Sequence, residues 1–252
     1  MSGHSKWANI KHKKEASDKK KGQAFSKIAK EIMVAVKAGG KDPNSNIKLR
    51  MALASARAAN MPRDNIERAI KKGAGELGSV TYEEIVYEGY GPAGTAFILD
   101  CLTDNRNRTI GEIRTVFDRN GGNLAASGAV GWMFQRKAHF IIEGEYADEE
   151  KLMDIVLEAG AEDIEVEDGV AEVWGPAESF ADIAKALEDA GATCSEASLT
   201  RKPDNTVEIK DKTTAQQVLR LVDKLEDLED VQSVNSNEEI LPEIMEEIEA
   251  EG

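Results

Sequence analysis

The chain is 252 residues long, 41% hydrophobic and 31% charged, which is apolar enough to build packed cores and excludes a chain disordered throughout. Its net charge of −15 conceals a split: residues 1–75 carry 18 Lys+Arg against 6 Asp+Glu, a balance of +12, and the remainder balances at −27. A polyanion is therefore excluded as a partner for most of the chain and favoured at its start.

Residues 2–22 are a basic arm holding Lys6, Lys11, Lys13, Lys14, Lys19, Lys20 and Lys21, whose mutual repulsion favours an extended or loosely helical segment. The opening residues lack the apolar stretch of a secretory signal, and runs such as Ala96-Phe97-Ile98-Leu99 are too short to cross a bilayer. The expected location is cytoplasmic, with no membrane partner. The first firm helix is expected from Gln23, because Phe25, Ile28, Ile32 and Val36 recur at helical spacing until Gly39-Gly40. A second helix over 45–60 places Ile47, Met51, Ala54, Ala58 and Met61 on one face and stops at Pro62. Asp64 ahead of Glu67 reads as an N-cap with its reciprocal partner, opening a third helix that Gly73 closes.

The rhythm then changes. Strands are expected at 83–89 and 95–102, a helix at 109–120 capped by Thr109 and Glu112, and a strand at Val130–Phe134. Residues 137–200 give strand, helix, strand, strand, helix, strand, the split β-α-β order of ferredoxin-like domains. Strand 206–210, helix 214–228 and strand 231–234 are too few to fold alone and would complete the earlier β-β-α-β unit. The tail from Asn235 holds seven glutamates and no Lys or Arg. Either a short helix through Ile240, Ile244 and Ile248 or a disordered acidic end fits it. The expected fold class is α+β multidomain. An N-terminal all-α three-helix domain (1–78) precedes two ferredoxin-like domains, 79–135 plus 204–240 and an inserted 136–203, with an acidic tail at 241–252. Two sequential α+β domains is the alternative. Cys101 and Cys194 match no metal or redox spacing and read as reduced, buried thiols.

Five separated segments, in order, resemble the YebC/PmpR family. They are Gly3-His-Ser-Lys-Trp-Ala-Asn-Ile-Lys-His-Lys-Lys14, Asn60-Met-Pro-Arg-Asp-Asn-Ile-Glu-Arg-Ala-Ile-Lys-Lys-Gly73, Tyr87-Glu-Gly-Tyr-Gly-Pro92, Thr103-Asp-Asn-Arg-Asn-Arg-Thr109 and Asn120-Gly-Gly-Asn-Leu124. The likeness runs over nearly the whole chain. It implies a three-domain fold and a regulator, described in that family both as a DNA-binding transcriptional regulator and as a ribosome-associated translation factor. Ala93, where the family pattern prefers a second glycine, is a departure that touches the geometry of one turn.

The basic end carries the candidate nucleic-acid contacts: Lys6, Trp7, Lys11, His12, Lys13, Lys14, Lys19, Lys20, Lys21 and Lys27, with Arg50, Arg57 and Arg63 behind them. Lysines neutralise phosphates as point charges and release counterions. Trp7 either stacks on a base or pins the arm to the helical domain. Arg50 and Arg57 share a helical face two turns apart, and a merely solvated arginine face is the other reading. The loop with Asn105, Arg106 and Arg108 at a helix start is a candidate anion or RNA-backbone site, or else a capped surface turn.

No catalytic set emerges. The three histidines are His4, His12 and His139, and the first two sit in the basic arm. No phosphate loop, nucleophile elbow or His/Cys ligand pair is present, so no cofactor, metal or small-molecule substrate is expected. The expectation is a non-enzymatic nucleic-acid-binding regulator of gene expression that contacts DNA through its basic end. A translation factor contacting ribosomal RNA and a protein-interaction scaffold are the alternatives.

Overall fold

The computed structural model describes residues 18–78, 81–167 and 169–250, with backbone alone at 18–21, 58 and 249. The fold is mixed α+β and divides into two compact units. One takes in the chain up to Lys30, Val80–Gln135 and Pro203–Gly252; the other takes in Glu31–Ser79 and Arg136–Lys202.

Helix α1 spans Asp18–Gly39. It starts earlier than its apolar stripe predicts: Lys19, Lys20 and Lys21 are good helix formers, and the helix runs through Gly22 to reach them. Ile32, Met33, Ala35 and Val36 are its buried apolar residues, Lys30 is buried as well, and Gly40, at φ 82°, ends it. Helix α2 is Ile47–Ala58, and its phase is set by Asn46. That side chain accepts from the Leu49 amide at 3.0 Å and donates to the carbonyls of Ala35 (2.8 Å) and Gly40 (2.9 Å). The inward face is consequently Leu49, Ala52 and Ala56; of the predicted stripe Met51 packs on the core and Met61 is buried, whereas Ile47 is 46% exposed and Ala54 is also exposed. Helix α3 is Arg63–Gly73, with Pro62 in the cap position and no side-chain cap; Asp64 lies in its first turn instead of capping it. The Pro62 carbonyl takes the amides of Asn65 and Ile66, doing what the predicted cap would have done. A Cβ on Gly73 would sit 2.7 Å from the Met33 carbonyl oxygen, so α1 and α3 approach more closely than any side chain allows.

In chain order there follow β1 (Glu83–Tyr90), β2 (Ala96–Thr103), α4 (Arg106–Arg119), β3 (Asn123–Leu124), β4 (Phe134–Glu143), α5 (Glu149–Val156), β5 (Asp163–Glu167), β6 (Val170–Pro176), α6 (Phe180–Asp189) and β7 (Cys194–Pro203). The chain closes with β8 (Val207–Ile209), α7 (Lys212–Glu226), β9 (Val231–Ser236), β10 (Glu238–Ile240) and α8 (Pro242–Glu249).

Within the second unit the sheet order is β5-β6-β4-β7. Its core joins Ala138, Phe140, Ile142, Ala171 and Val173 to Leu152 and Val156 of α5 and to Phe180, Ile183 and Leu187 of α6. In the first unit the order is β3-β1-β2-β9, with α4 (Ile113, Phe117) and α7 (Val218, Leu221, Val222, Leu225) packed on Phe97, Leu99, Cys101 and Val231. The hairpins sit differently in the two sheets: β5 and β6 take one edge and its neighbour in the second unit, whereas β1 and β2 are the two central strands of the first. The second unit runs β-α-β-β-α-β, whereas the first starts from its hairpin. The β1–β2 turn holds Ala93 at φ 57°, a left-handed conformation that glycine adopts without strain.

Two expected elements differ, and the acidic tail takes the helical one of its two readings. Val130–Phe134 is not a strand: the Glu88 carboxylate takes the backbone amides of Gly128, Val130 and Gly131, so a short 3-10 turn forms and β4 begins at Phe134. The strand at 207–209 does not join the four-stranded sheet, because β9 occupies the edge of β2; it pairs in parallel with β10 instead. The acidic tail is not disordered among its described residues. Ile240 lies in β10, and α8 buries Met245. Among the described residues no helix is long and apolar enough to cross a membrane.

Candidate nucleic-acid interface

Of the predicted contact residues, Lys6, Trp7, Lys11, His12, Lys13 and Lys14 lie outside the described residues. Lys19, Lys20 and Lys21 fall in the first turns of α1. Lys27 is half-buried, and its Nζ donates to the Glu226 carbonyl at 2.6 Å, at the negative end of α7. That lysine serves packing inside its unit.

The arginines divide in the same way. Arg50 turns back on the preceding loop, its guanidinium donating to the carbonyls of Pro43 (3.2 Å) and Asn44 (3.4 Å). Arg63, 89% exposed at its side chain, is held by Glu67 one turn on at 2.8 Å. Arg57 is exposed at the end of α2, and neither it nor the exposed Arg68 of α3 makes a hydrogen bond or ion pair among the described residues. The Asn46 cap and the Gly73 contact fix the rotation and separation of α1–α3, and with them the positions of these guanidinium groups. Exposed arginines on rigid helices suit phosphate or base-edge recognition better than lysines on a loop.

The loop at 104–109 is a capped turn with an acid behind it. Asn105 is the N-cap of α4, accepting from the Arg108 amide at 3.2 Å, so Arg106 and Arg108 lie in the first helical turn. Thr109 is therefore no cap, and it is 1% exposed. Arg106 pairs with Glu83 at 3.5 Å; Arg108 pairs with Asp104 at 2.8 Å and with Asp230 at 2.7 Å. Asp230 also accepts from Lys30 Nζ (2.7 Å), Thr109 (2.8 Å) and Thr103 (3.1 Å). Burial would push the Asp230 carboxyl up, but the hydrogen bonds of Lys30, Arg108 and Thr109 and the Lys30 charge outweigh it and hold the group at about 2. An incoming phosphate would have to compete with these carboxylates for both arginines.

Asp230, Lys30 and Glu88 were not singled out by sequence. Their partners lie far along the chain (Lys30 and Asp230 are 200 residues apart), and no local spacing carries that signal. Cys101 is buried, as expected, with its thiol pushed up to about 12; Cys194 is only half-buried, and burial raises its thiol to about 11. Among the described residues no cluster of His, Cys, Asp or Glu could hold a metal ion.

The chain matches the TACO1/YebC protein N-terminal domain over residues 5–76 and the TACO1/YebC second and third domain over residues 82–238. A protein of Halothermothrix orenii named "Probable transcriptional regulatory protein" is 52% identical, the match covering 98% of this chain and 99% of that one. A protein of Treponema denticola with the same name is 53% identical, over 95% of this chain and 97% of its own. The crystal structure of a conserved hypothetical protein from Aquifex aeolicus superposes with a TM-score of 0.86 at 46% identity, covering 95% of this chain and 98% of that one.

Proposed function

This chain belongs to the TACO1/YebC family, and from that premise we propose that it is a non-enzymatic regulator of gene expression that binds nucleic acid through its basic N-terminal end. The observation that carries the reading is the charge split, +12 over residues 1–75 against −27 beyond them. Exposed Arg57, Arg63 and Arg68 support it from the helical part of that end. The regulatory role follows the name borne by the relatives from Halothermothrix orenii and Treponema denticola. In this reading 1–78 is the binding domain. The β-α-β-β-α-β stretch 136–203 is a ferredoxin-like domain set within a second α+β domain of 79–135 plus 204–240.

The contact is electrostatic first. Lysines in the arm take phosphates, and arginines on α2 and α3 add directional hydrogen bonds. The acidic remainder repels a duplex that would wrap the whole molecule, so binding is one-ended. DNA is the first target of this reading. Ribosomal RNA is the second, favoured by the same polarity, because a ribosome offers RNA to the basic end and basic proteins to the acidic remainder.

The test titrates the full chain, and a chain lacking residues 2–22, with duplex DNA and with ribosomal RNA fragments at several salt concentrations. If the arm supplies ~6 phosphate contacts, affinity drops about 10³-fold between 50 and 200 mM salt, and the truncated chain loses most of that dependence. Flat salt dependence, or unchanged binding by the truncated chain, would remove the proposal. Co-sedimentation with ribosomes in the absence of tight duplex binding would move it to the translation reading, and a partner protein retained by the truncated chain would favour a scaffold.

A further inference from the structure

Among the described residues, the largest exposed hydrophobic side chain lies outside the basic segment 1–75. Trp132 is 71% exposed, in the 3-10 turn that precedes β4. It sits in a stretch, Asn120 to Gln135, without a charged residue in a chain that is 31% charged. We propose that this turn docks an arginine-bearing segment of a partner protein, with Trp132 receiving the guanidinium on its face.

The turn is built to hold the indole still. Beneath it Glu88, 6% exposed, accepts from the amides of Gly128, Val130 and Gly131, each at 2.7 Å. A buried carboxylate with three charge-assisted bonds is a firm anchor. Val130 and Phe134, with Met133, pack on Ala96 and Ile98 of β2. The indole Nε1 donates to the Ala129 carbonyl at 3.1 Å, and that carbonyl also receives the Tyr90 hydroxyl at 3.2 Å. With its polar edge already bonded, Trp132 offers a partner its ring face. Folding gives no reason to hold an indole in water; rigid exposed tryptophans are the anchor type of protein interfaces.

Charge selects the partner. Residues 81–135 and 203–250, the described part of this unit beyond α1, carry 21 Asp+Glu against 8 Lys+Arg. A carboxylate is fixed beside the turn: Asp204 is exposed, its amide donates to the Met133 carbonyl at 2.8 Å and its side chain accepts from Gln135, while exposed Arg136 follows the stretch in β4. A nucleobase could stack on Trp132, but its phosphates would meet this acidic unit with no cation supplied by the turn. A guanidinium gains from both features. It stacks on an indole, is weakly hydrated, and is drawn by Asp204 and by the net negative charge of the unit.

The full chain is titrated with nona-arginine, nona-lysine and oligouridylate, in wild-type form and as Trp132→Ala and Trp132→Phe. Both peptides carry the same charge, so the part of their difference that Trp132→Ala removes reports the ring. The wild type is expected to bind nona-arginine about 5-fold more tightly than nona-lysine. Trp132→Ala should lose that preference with an unchanged melting temperature, and Trp132→Phe should keep part of it. Equal binding of the two peptides by the wild type, or a preference that survives in Trp132→Ala, overturns the proposal. So does a Trp132→Ala variant that loses oligouridylate and keeps both peptides, which would make the turn a nucleobase platform.

Discussion

Replacing Asp230 with alanine removes the acceptor around which Lys30, Arg108, Thr103 and Thr109 are gathered. The loss falls unequally on them. Arg108, 44% exposed at its side chain, keeps Asp104 and water. The hydroxyls of Thr103 and Thr109 still pair with each other at 2.7 Å. Lys30 is different: its side chain is 6% exposed, and it is left with the Glu229 carbonyl at 3.1 Å and the largely exposed Glu229 carboxylate at 3.4 Å. A buried ammonium deprived of its partner costs about 3–5 kcal/mol, and the residual Glu229 contacts put this case at the lower end, about 3 kcal/mol. Hydrogen exchange of the β9 amides, read by mass spectrometry, reports the opening of this unit directly. Adding Lys30→Met to Asp230→Ala should restore most of the loss, since an apolar replacement of a buried pair is close to neutral. The pH dependence has a definite sign. The folded carboxyl titrates at about 2, below its ordinary 3.8, so its stabilisation is complete above pH 4 and is lost as pH falls toward 2. Wild type and Asp230→Asn should therefore converge in acid. A cost under about 1 kcal/mol, or a double variant no more protected than the single one, would refute the reasoning.

Glu88→Ala should be comparably damaging, because three backbone amides around Gly128–Gly131 lose a buried acceptor at about 1–3 kcal/mol for each that stays dry; thermal melting measures it. Gly73→Ala drives a Cβ against the Met33 backbone at 2.7 Å, a contact with nothing flexible to yield. It should destabilise the α1–α3 packing by about 1–3 kcal/mol in a denaturant titration. Asn46→Ala removes the α2 cap and leaves the Ala35 and Gly40 carbonyls without their donor, an expected loss of about 2 kcal/mol by the same titration. Cys101, its thiol raised to about 12, should resist a thiol reagent at pH 8 until the protein unfolds.

The α+β class, most helix and strand positions and the polarity of the charge were legible in the residues themselves. Each rests on local chemistry: the stripe of Phe25, Ile28, Ile32 and Val36, the Gly39-Gly40 stop, the turn-forming run between β1 and β2, and the lysines crowded ahead of Gln23. Local rules failed where a distant group overrode them. The Asn46 side chain, bonded into α1, turned α2 so that Leu49 faces inward in place of Ile47. Glu88 claimed the amides that would have paired in a strand at Val130. Asp230 took Arg108, and the α7 carboxyl end took Lys27, so two cations that read as free became structural. For Trp132 the sequence shows only an aromatic in an uncharged stretch; its exposure and fixed orientation come from Glu88 and Ala129. Composition and periodicity determine what each segment can become, because they act within one or two turns of chain. Which polar groups remain available to a partner is decided by contacts formed across some 200 residues of chain, such as Lys30 with Asp230, after the backbone has brought them together.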